Sequence, residues 1–252
     1  MGQQRHLSTE AIILKTSISS EINKNFIFIS PILGVQQATA FGAAKIKSKF
    51  CSSVQVFTKA NLFLYKSPKT DFYKLEDMNN VFINDYITKD LNIFYLTSFF
   101  SEILINTYLS NEEFKSYYFL LLYSLELLKE QGNVNVKKTF IFFVSKFLFL
   151  SGYNFNLTEC VKCKNKFNKY YFDNKKGGIL CETHAHFKHF ILNQDTALLW
   201  KKFLEDKYLI LINLKISDNN FNQLFPIMIH LIGNIFEKKL NTINFIKEII
   251  NL

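Results

Sequence analysis

The sequence predicts an α+β protein in which a small N-terminal β-barrel precedes an all-α domain that carries a small inserted module. Three observations predict this fold. Residues 9–77 alternate short β-rich segments with turn residues, and from about residue 80 the apolar residues recur at steps of three and four. Near residue 160 a cysteine-containing stretch interrupts the helical pattern. The predicted domains are residues 1–79 for the barrel and 80–252 for the helical domain, with the module at about 153–190.

The predicted strands are short segments rich in β-branched and aromatic residues: 11–14, 26–29, 35–43, 54–65 and 72–75. Turn residues separate them, for example at Ser67 and Pro68. Five strands in about seventy residues, with bends at Gly34 and Gly42, fit a small closed barrel such as the OB-fold. An open antiparallel sheet of another topology is the alternative that this pattern leaves open.

The predicted helices cover residues 91–109, 111–130, 136–150, 195–206, 221–240 and 242–250. Asn111, followed by two glutamates, is expected to cap the second of them. The third is apolar nearly all round, so it is predicted to have neighbours on several sides. Pro226 is expected in the first turn of its helix or at a kink, because proline removes a backbone donor.

The inserted module contains two close pairs of potential metal ligands. Cys160 and Cys163 form the first pair, and Cys181 and His184 form the second, with 17 residues between Cys163 and Cys181. Two glycines, at 177–178, precede the second pair, where the chain is expected to bend back sharply. This spacing is typical of a structural zinc site, in which two tight turns each supply two ligands to one tetrahedral ion. A complete shell of four protein ligands leaves no position for water or substrate. The sequence therefore predicts one zinc ion that stabilises the fold and does not catalyse.

Several alternatives to this site stay open at the level of sequence. His186 or His189 can replace His184 as the fourth ligand. The cysteines can also be reduced, buried thiols that happen to cluster. A redox C-x-x-C motif is a further rival, although no βαβ pattern surrounds it. Cys51 is expected to be a non-ligand that packs in or near the barrel.

The net charge of +9 is concentrated in two segments. Residues 1–80 carry ten basic and five acidic side chains, and residues 151–192 carry seven and three. This excess indicates a surface for a polyanion, and a solvated lysine-rich surface is the alternative. Arg5 is the only arginine. Arginine is the side chain that most often recognises guanine through two hydrogen bonds, so with a single arginine any binding to nucleic acid is expected to be independent of base sequence.

No motif for enzymatic chemistry is present. The sequence contains no phosphate-cradling G-x-x-x-x-G-K-[ST] loop, no dinucleotide-binding G-x-G-x-x-G and no G-x-S-x-G. The longest apolar runs, 117–128 and 140–150, are too short or too interrupted to span a bilayer. Three of the four cysteines have metal-ligand spacing, which favours a reducing compartment. A non-enzymatic cytoplasmic protein is therefore expected.

Blocks along essentially the whole chain resemble the RecO family of bacterial DNA repair proteins. They are residues 10–16, 42–48, 54–65 and 151–153, then Cys160, Cys163, Gly177, Gly178 and Cys181, then residues 230–240. The resemblance implies an N-terminal OB-fold and a helical domain with a zinc module. It also implies binding to single- and double-stranded DNA, annealing of complementary strands and action with RecR. Such proteins help RecA replace single-strand-binding protein, whose acidic C-terminal tail is a further expected partner, and they are associated with the nucleoid.

Two positions depart from the family pattern. His184 stands where the family usually has cysteine, which keeps zinc plausible but changes the charge of the site. Phe41 and Ala44 stand where basic residues are usual, so DNA binding by this face is expected to be weaker than in other members.

The predicted DNA-binding strip of the barrel consists of five lysines: Lys15, Lys45, Lys47, Lys49 and Lys59. The middle three alternate at a period of two, so an extended chain would send them to one face, where a phosphate backbone would offset their repulsion. A basic, solvated loop is the alternative. If the strip does not bind DNA, the next candidates are Lys162, Lys164 and Lys166 of the module.

Two function classes remain open. The first is a DNA-binding mediator of annealing and recombination, which the lysine-rich barrel favours. The second is a scaffold that binds only proteins in a repair complex, with no direct DNA contact. A sequence-specific zinc regulator is disfavoured, because arginine is nearly absent and no recognition-helix pattern lies beside the cysteines.

Overall fold

The computed structural model describes residues 5–68, 72–131, 136–186, 190–211, 213–236 and 240–250. The chain forms two compact units, Met1–Leu122 and Tyr123–Leu252. The first contains the N-terminal strands and the second contains the module with the four metal-ligand candidates. The α+β class predicted from the sequence is confirmed.

Five strands build the sheet of the first unit: β1 (His6–Ile18), β2 (Lys24–Ser30), β3 (Gly34–Ala40), β4 (Lys59–Lys66) and β5 (Tyr73–Phe82). Their order is β1-β2-β3-β5-β4, and β1 also pairs with β4, which closes the sheet into a barrel. All neighbours are antiparallel except β3 and β5, which are parallel. β1 and β4 form a long ladder, whereas β3 and β5 pair only through residues 38–39 and 73–74, so the barrel is closed on that side by a short ladder.

The barrel interior is filled by apolar side chains from alternate positions of the strands, including Ala11, Ile13, Phe26, Phe28, Leu62, Leu64 and Leu75. Gly34 begins β3 with φ +65°, and a Cβ atom at this position would lie 2.4 Å from the ring of Phe114. Both the positive φ and the close ring require glycine here.

The chain between β3 and β4 differs from the prediction. Strands were expected to run to residue 43 and to resume at residue 54, but the intervening chain folds as consecutive turns. The N–H of Lys45 donates to the Gly42 carbonyl at 3.1 Å, and that of Ser48 donates to the Lys45 carbonyl at 2.9 Å. The apolar residues Phe50 and Val54 pack into the barrel core from these turns. Local composition could not distinguish these turns from strands, because apolar residues of this kind occur both in strands and in turns that pack into a core.

The helices are α1 (Asp85–Lys89), α2 (Leu91–Ile105), α3 (Phe114–Gln131), α4 (Val136–Leu150), α5 (Gln194–Glu205), α6 (Tyr208–Leu211), α7 (Asp218–Ile235) and α8 (Ile243–Ile250). The bounds of α4 equal the predicted ones, and its buried phenylalanines confirm that it is packed nearly all round. The cap predicted at Asn111 is wrong. Instead Glu113 accepts hydrogen bonds from the backbone N–H and the hydroxyl of Ser110, at 2.8 and 2.7 Å, just before α3.

Helix α7 begins three residues before the predicted position. The Ser217 hydroxyl accepts from the Asn220 N–H, and the Asn220 side chain accepts from the Ser217 N–H, which forms a capping box. Pro226 therefore lies in the middle of the helix. The expectation that it lies in the first turn is wrong. Within the described ranges, no helix is both long and apolar enough to cross a membrane.

The second unit also contains a three-stranded antiparallel sheet that was not predicted. Its strands are β6 (Lys169–Asp173), β7 (Gly178–Leu180) and β8 (Ile191–Asn193), in the order β7-β6-β8. Strands of three to five residues are too short for hydrophobic alternation to be read from sequence. This sheet lies in the chain between α4 and α5, in the same segment as the two pairs of candidate metal ligands.

Candidate functional site

The first pair of ligands lies on a tight turn. The N–H of Lys164 donates to the Cys160 carbonyl at 2.9 Å, and the N–H of Cys160 donates to the Asn165 carbonyl at 3.1 Å. Lys164 has φ 61°, which closes the turn in the left-handed region. The turn therefore brings the sulfur atoms of Cys160 and Cys163 to one side of the chain.

The second pair follows β7 directly. The N–H groups of His184 and Ala185 both donate to the Cys181 carbonyl, at 3.1 and 3.0 Å, so the imidazole is folded back beside the Cys181 sulfur. The Val161 N–H donates to the Ile179 carbonyl at 3.0 Å and joins the first turn to β7. The two turns are thereby held next to each other by backbone hydrogen bonds.

Two glycines permit this arrangement for different reasons. Gly177 has φ 70°, which confirms the sharp bend expected before the second pair. Gly178 has an ordinary φ, but a Cβ atom there would lie 2.3 Å from the Asn156 carbonyl oxygen. Asn156 donates to the Gly177 carbonyl at 2.9 Å and accepts from the Ile179 N–H at 3.0 Å. The second glycine is therefore required by a close backbone approach, a role that spacing alone did not indicate.

The four ligand atoms lie within 4.8 Å of one another. Cys163 Sγ and Cys181 Sγ are 3.9 Å apart, and His184 Nδ1 lies 3.7 Å from Cys160 Sγ and 3.1 Å from Cys181 Sγ. Around a tetrahedral zinc ion, two sulfurs would be separated by about 3.8 Å and a sulfur and a nitrogen by about 3.6 Å. Three sulfurs and one imidazole nitrogen at these separations can hold a metal ion and are compatible with zinc.

The surroundings of Cys160 favour the thiolate that a metal ligand requires. Burial raises the pKa of the Cys160 thiol, but hydrogen bonds from the backbone N–H groups of Cys163, Cys181 and Lys162 outweigh burial and lower the pKa to about 6. Such N–H groups stabilise the negative charge on sulfur.

The pKa values of Cys181 and His184 are shifted towards a thiolate beside a protonated imidazole. Burial raises the pKa of Cys181, but the Thr183 hydroxyl, 2.9 Å from its sulfur, and His184 outweigh burial and lower the pKa. Hydrogen bonds to the sulfurs of Cys160 and Cys181 raise the pKa of His184. For Cys163, the Asn165 N–H lowers the pKa, but burial and the neighbouring thiols outweigh this bond and raise it. Sequence reasoning missed Thr183, because no spacing rule marks it.

The other candidate ligands are placed as follows. His184 is the histidine of the cluster, whereas His186 is exposed and does not belong to the group of four. His189 lies outside the described residues. Cys51 lies in the turns between β3 and β4 and is not part of the cluster. None of the four cysteines is in a disulfide.

The expected extended strip of lysines on the barrel is wrong in its geometry. Lys45, Lys47 and Lys49 are all exposed, but they lie on consecutive turns, where the period-two argument does not apply. Lys15 is exposed on β1. Within the described ranges, no carboxylate lies within 4.0 Å of Lys15, Lys45 or Lys47.

The other two predicted lysines already hold carboxylates. Lys49 Nζ is 2.8 Å from Asp77 Oδ1, and Lys59 Nζ is 3.0 Å from Glu10 Oε2. Glu10 also accepts the hydroxyl of Tyr118 at 2.6 Å. Burial raises the pKa of Glu10, but Tyr118 and Lys59 outweigh burial and lower it. These two lysines are therefore less available to an external anion than the other three.

Comparison with known proteins identifies the family. The family described as Recombination protein O C terminal matches residues 88–242. DNA repair protein RecO of Caldanaerobacter subterraneus subsp. tengcongensis is 32% identical over 178 residues, 71% of each chain. DNA repair protein RecO of Thermoanaerobacter sp. is 29% identical over 84% of this chain and 86% of the relative. That of Clostridium novyi is 24% identical over 95% and 94%. The chain therefore belongs to the RecO family.

Proposed function

We propose that this chain is a DNA repair and recombination mediator. It binds single- and double-stranded DNA without sequence specificity, anneals complementary strands and helps to load RecA together with RecR. The observation that carries the proposal is the match, over most of the chain, to relatives named DNA repair protein RecO. The family match to residues 88–242 supports it independently.

The barrel is proposed to be an OB-fold that contacts DNA. Its order β1-β2-β3-β5-β4, with β1 paired to β4 and β3 parallel to β5, supports this assignment. OB-folds bind oligonucleotides on one face with the adjoining loops. The proposed contacts are Lys15, Lys45, Lys47, Lys49 and Lys59. DNA must displace a carboxylate to reach Lys49 or Lys59, so the other three are expected to contribute more.

The module is proposed to hold one structural zinc ion through Cys160, Cys163, Cys181 and His184. The donor set and its separations support zinc, because thiolates and imidazole are its preferred ligands. When bound, such an ion contributes to folding. Four protein ligands would leave no position for a substrate, so the site is assigned no catalytic role.

No nucleotide hydrolysis or covalent chemistry is assigned to the chain. The sequence contains no loop that would cradle the phosphates of a nucleotide. We expect purified protein to show no DNA-stimulated ATPase activity. A hydrolysis rate that persists through further purification and scales with protein concentration would contradict this assignment.

The proposed protein partners are RecR and the acidic C-terminal tail of single-strand-binding protein, and RecA is proposed to be an indirect partner. The proposed location is the nucleoid, in the cytoplasm. The exposed apolar residues Leu209 and Ile210 of α6, next to the exposed Lys207, support binding of an acidic, apolar tail within the second unit. Isothermal titration with a tail peptide should give saturable heat that Leu209→Ser reduces. Absence of heat and of competition would contradict this partner.

A second candidate function is a protein-binding scaffold in a repair complex without direct DNA contact. Phe41 is 52% exposed and Ile46 is 94% exposed beside the proposed DNA-binding lysines. Apolar side chains this exposed favour a surface that another protein covers. The pairing of Lys49 and Lys59 with carboxylates also favours a scaffold, because paired lysines are less available to DNA phosphates.

One experiment separates the two functions. Fluorescence anisotropy of labelled single-stranded DNA, titrated at two salt concentrations, should show binding that weakens with salt, since each phosphate contact contributes about 0.7 to the slope of log K against log salt. Complementary oligonucleotides should anneal faster with the protein present. A scaffold would give neither result, at either salt concentration.

A further inference from the structure

The first ligand turn carries lysines that no acidic residue balances. Residues 160–169 include four lysines and no aspartate or glutamate: Lys162, Lys164, Lys166 and Lys169. All four are exposed. In the part of the chain that the structure describes, no carboxylate lies within 4.0 Å of any of them. They therefore differ from Lys49 and Lys59 of the barrel, which are paired.

The turn holds these charges close together. Backbone hydrogen bonds from Cys160 to Asn165 and from Lys164 to Cys160, at 3.1 and 2.9 Å, close the chain on itself. A divalent ion bound by three thiolates and a neutral imidazole would carry a net charge of about −1, which one lysine balances. Even with Glu159 and Glu182 beside the ligands, the module carries more lysines than acidic side chains, so the turn is suited to an external anion with several charges.

The tip of the neighbouring hairpin adds two more exposed lysines, Lys175 and Lys176, between β6 and β7. Asp173 is the nearest acidic residue in the chain. Its carboxylate accepts the backbone N–H of Lys176 at 3.2 Å, as the cap of this short helical turn. The hairpin therefore extends the positive surface of the turn.

An aromatic ring lies among the lysines. Phe167, between Lys166 and Lys169, is 38% exposed and meets the ring of Tyr170 edge-on, with 6.2 Å between ring centroids. The Phe167 N–H donates to the hydroxyl oxygen of Tyr170 at 2.8 Å, and Tyr170 is fully buried. A buried anchor thus holds Phe167 at the surface. Lysines interleaved with a held aromatic ring are the combination that binds single-stranded nucleic acid, because phosphates meet the charges and bases stack on the ring.

We propose that residues 160–169 form a second nucleic-acid contact, in which Lys162, Lys164 and Lys166 bind the phosphates of a single strand and Phe167 stacks on a base. This site rests on the proposed DNA-binding function and adds a contact on the second unit. It also gives the metal centre a functional consequence, since the ligands fix the turn that presents the lysines.

The salt dependence of binding tests the phosphate contacts. The full chain with Lys162→Gln, Lys164→Gln and Lys166→Gln should bind labelled oligo-dT with a slope of log K against log salt flatter by roughly two units than wild type. Its metal content should be unchanged. The matched control is Lys115→Gln, Lys129→Gln and Lys215→Gln, which removes the same charge from exposed positions elsewhere. The control should retain the wild-type slope.

A second variant tests stacking. Phe167→Leu keeps an apolar side chain but removes the ring, so it should weaken binding to oligo-dT roughly tenfold and leave the salt slope unchanged. Affinity for blunt duplex DNA should not change, because its bases are not available to stack. Removal of metal with a chelator should flatten the slope as the triple lysine variant does, because the turn loses its form.

The outcomes separate this site from the proposed function. If wild type binds DNA and the module variants keep its slope and affinity, the second contact is wrong and the function stands. If wild type binds no DNA, both are wrong. If the triple variant loses affinity only for an acidic peptide, the surface binds protein and the proposed contact is wrong.

Discussion

The barrel and the inserted module carry similar excess positive charge, but they present it differently. Residues 1–80 hold ten basic and five acidic side chains, and residues 151–192 hold seven and three. In the barrel, Lys49 and Lys59 are paired with Asp77 and Glu10. In the module, the lysines of residues 160–169 have no described carboxylate within 4.0 Å. The net charge of a segment therefore does not measure the charge that it can offer to a ligand.

The two regions also differ in what holds them together. The barrel closes its ladder of hydrogen bonds around a core of large apolar side chains such as Phe26 and Phe28. Around the four ligands the buried cluster is small, with Leu180 and two cysteines at its centre. The ligand turns bury few large apolar side chains of their own, although the sheet that carries them packs Phe172 against Trp200 with 5.1 Å between ring centroids. The turns should therefore depend on the proposed metal more than the barrel does.

The largest expected effect tests this dependence directly. Cys163→Ser should abolish metal binding and unfold the module locally, because structural zinc contributes about 10–16 kcal/mol of apparent binding free energy in small zinc domains. Hydrogen exchange should accelerate at β7 while the barrel strands keep their protection. Metal analysis of the same sample measures the loss. Cys51→Ser is the matched control and should retain both metal and protection; equal loss in both variants would contradict the assignment.

The next effect concerns close backbone packing in the module. Gly178→Ala would place a Cβ atom 2.3 Å from the Asn156 carbonyl oxygen, and backbone cannot move aside cheaply. We expect the free energy of unfolding to fall by about 3 kcal/mol. Gly177→Ala meets nothing within 4 Å and strains only its positive φ, so it should cost about 1 kcal/mol. Chemical denaturation of metal-loaded protein compares the two, and equal losses would count against this explanation.

A smaller effect compares lysines within the barrel. Replacing Lys15, Lys45 and Lys47 by Gln should flatten the salt slope for single-stranded DNA by roughly two units if all three meet phosphates. Replacing Lys49 and Lys59 should change the slope by less than about one unit, since each already holds a carboxylate. The anisotropy titration at several salt concentrations measures both. A larger change from the second variant would show that DNA displaces the carboxylates readily.

The smallest effect is the acid sensitivity of the barrel. Because the folded pKa of Glu10 is lowered, this carboxylate stabilises the fold above its ordinary pKa of 4.5, and the stabilisation is lost as the pH falls through the folded pKa. Glu10→Gln should therefore be less stable than wild type at neutral pH, by less than about 1 kcal/mol, because the group is partly exposed. The difference should vanish in acid.

Denaturation of Glu10→Gln and wild type at a series of pH values measures this difference. Glu112→Gln, at an exposed position, is the control. If the stability difference between Glu10→Gln and wild type grew on acidification, the predicted stabilisation by the ionised Glu10 would be wrong.

The ligand cluster and helix α4 could be predicted from sequence because their causes are local. Two residues between ligands suffice to shape a turn that presents both, and a 15-residue segment rich in phenylalanine and other apolar residues, with lysines only at 137, 138 and 146, indicates a largely buried helix. The three cysteines, His184 and the bounds of α4 were found in this way. For the same reason the bend at Gly177 was expected.

The remaining features depend on residues that are distant in sequence. Lys49 meets Asp77 across 28 positions, and Tyr118 meets Glu10 across 108, so no local pattern could show that these charges are occupied. Gly178 is required only because Asn156 approaches it, and the turns after β3 are recognised only because they place apolar side chains in the barrel core. Spacing and periodicity are properties of one stretch of chain, whereas pairing and close packing arise only when tertiary contacts bring separate stretches together.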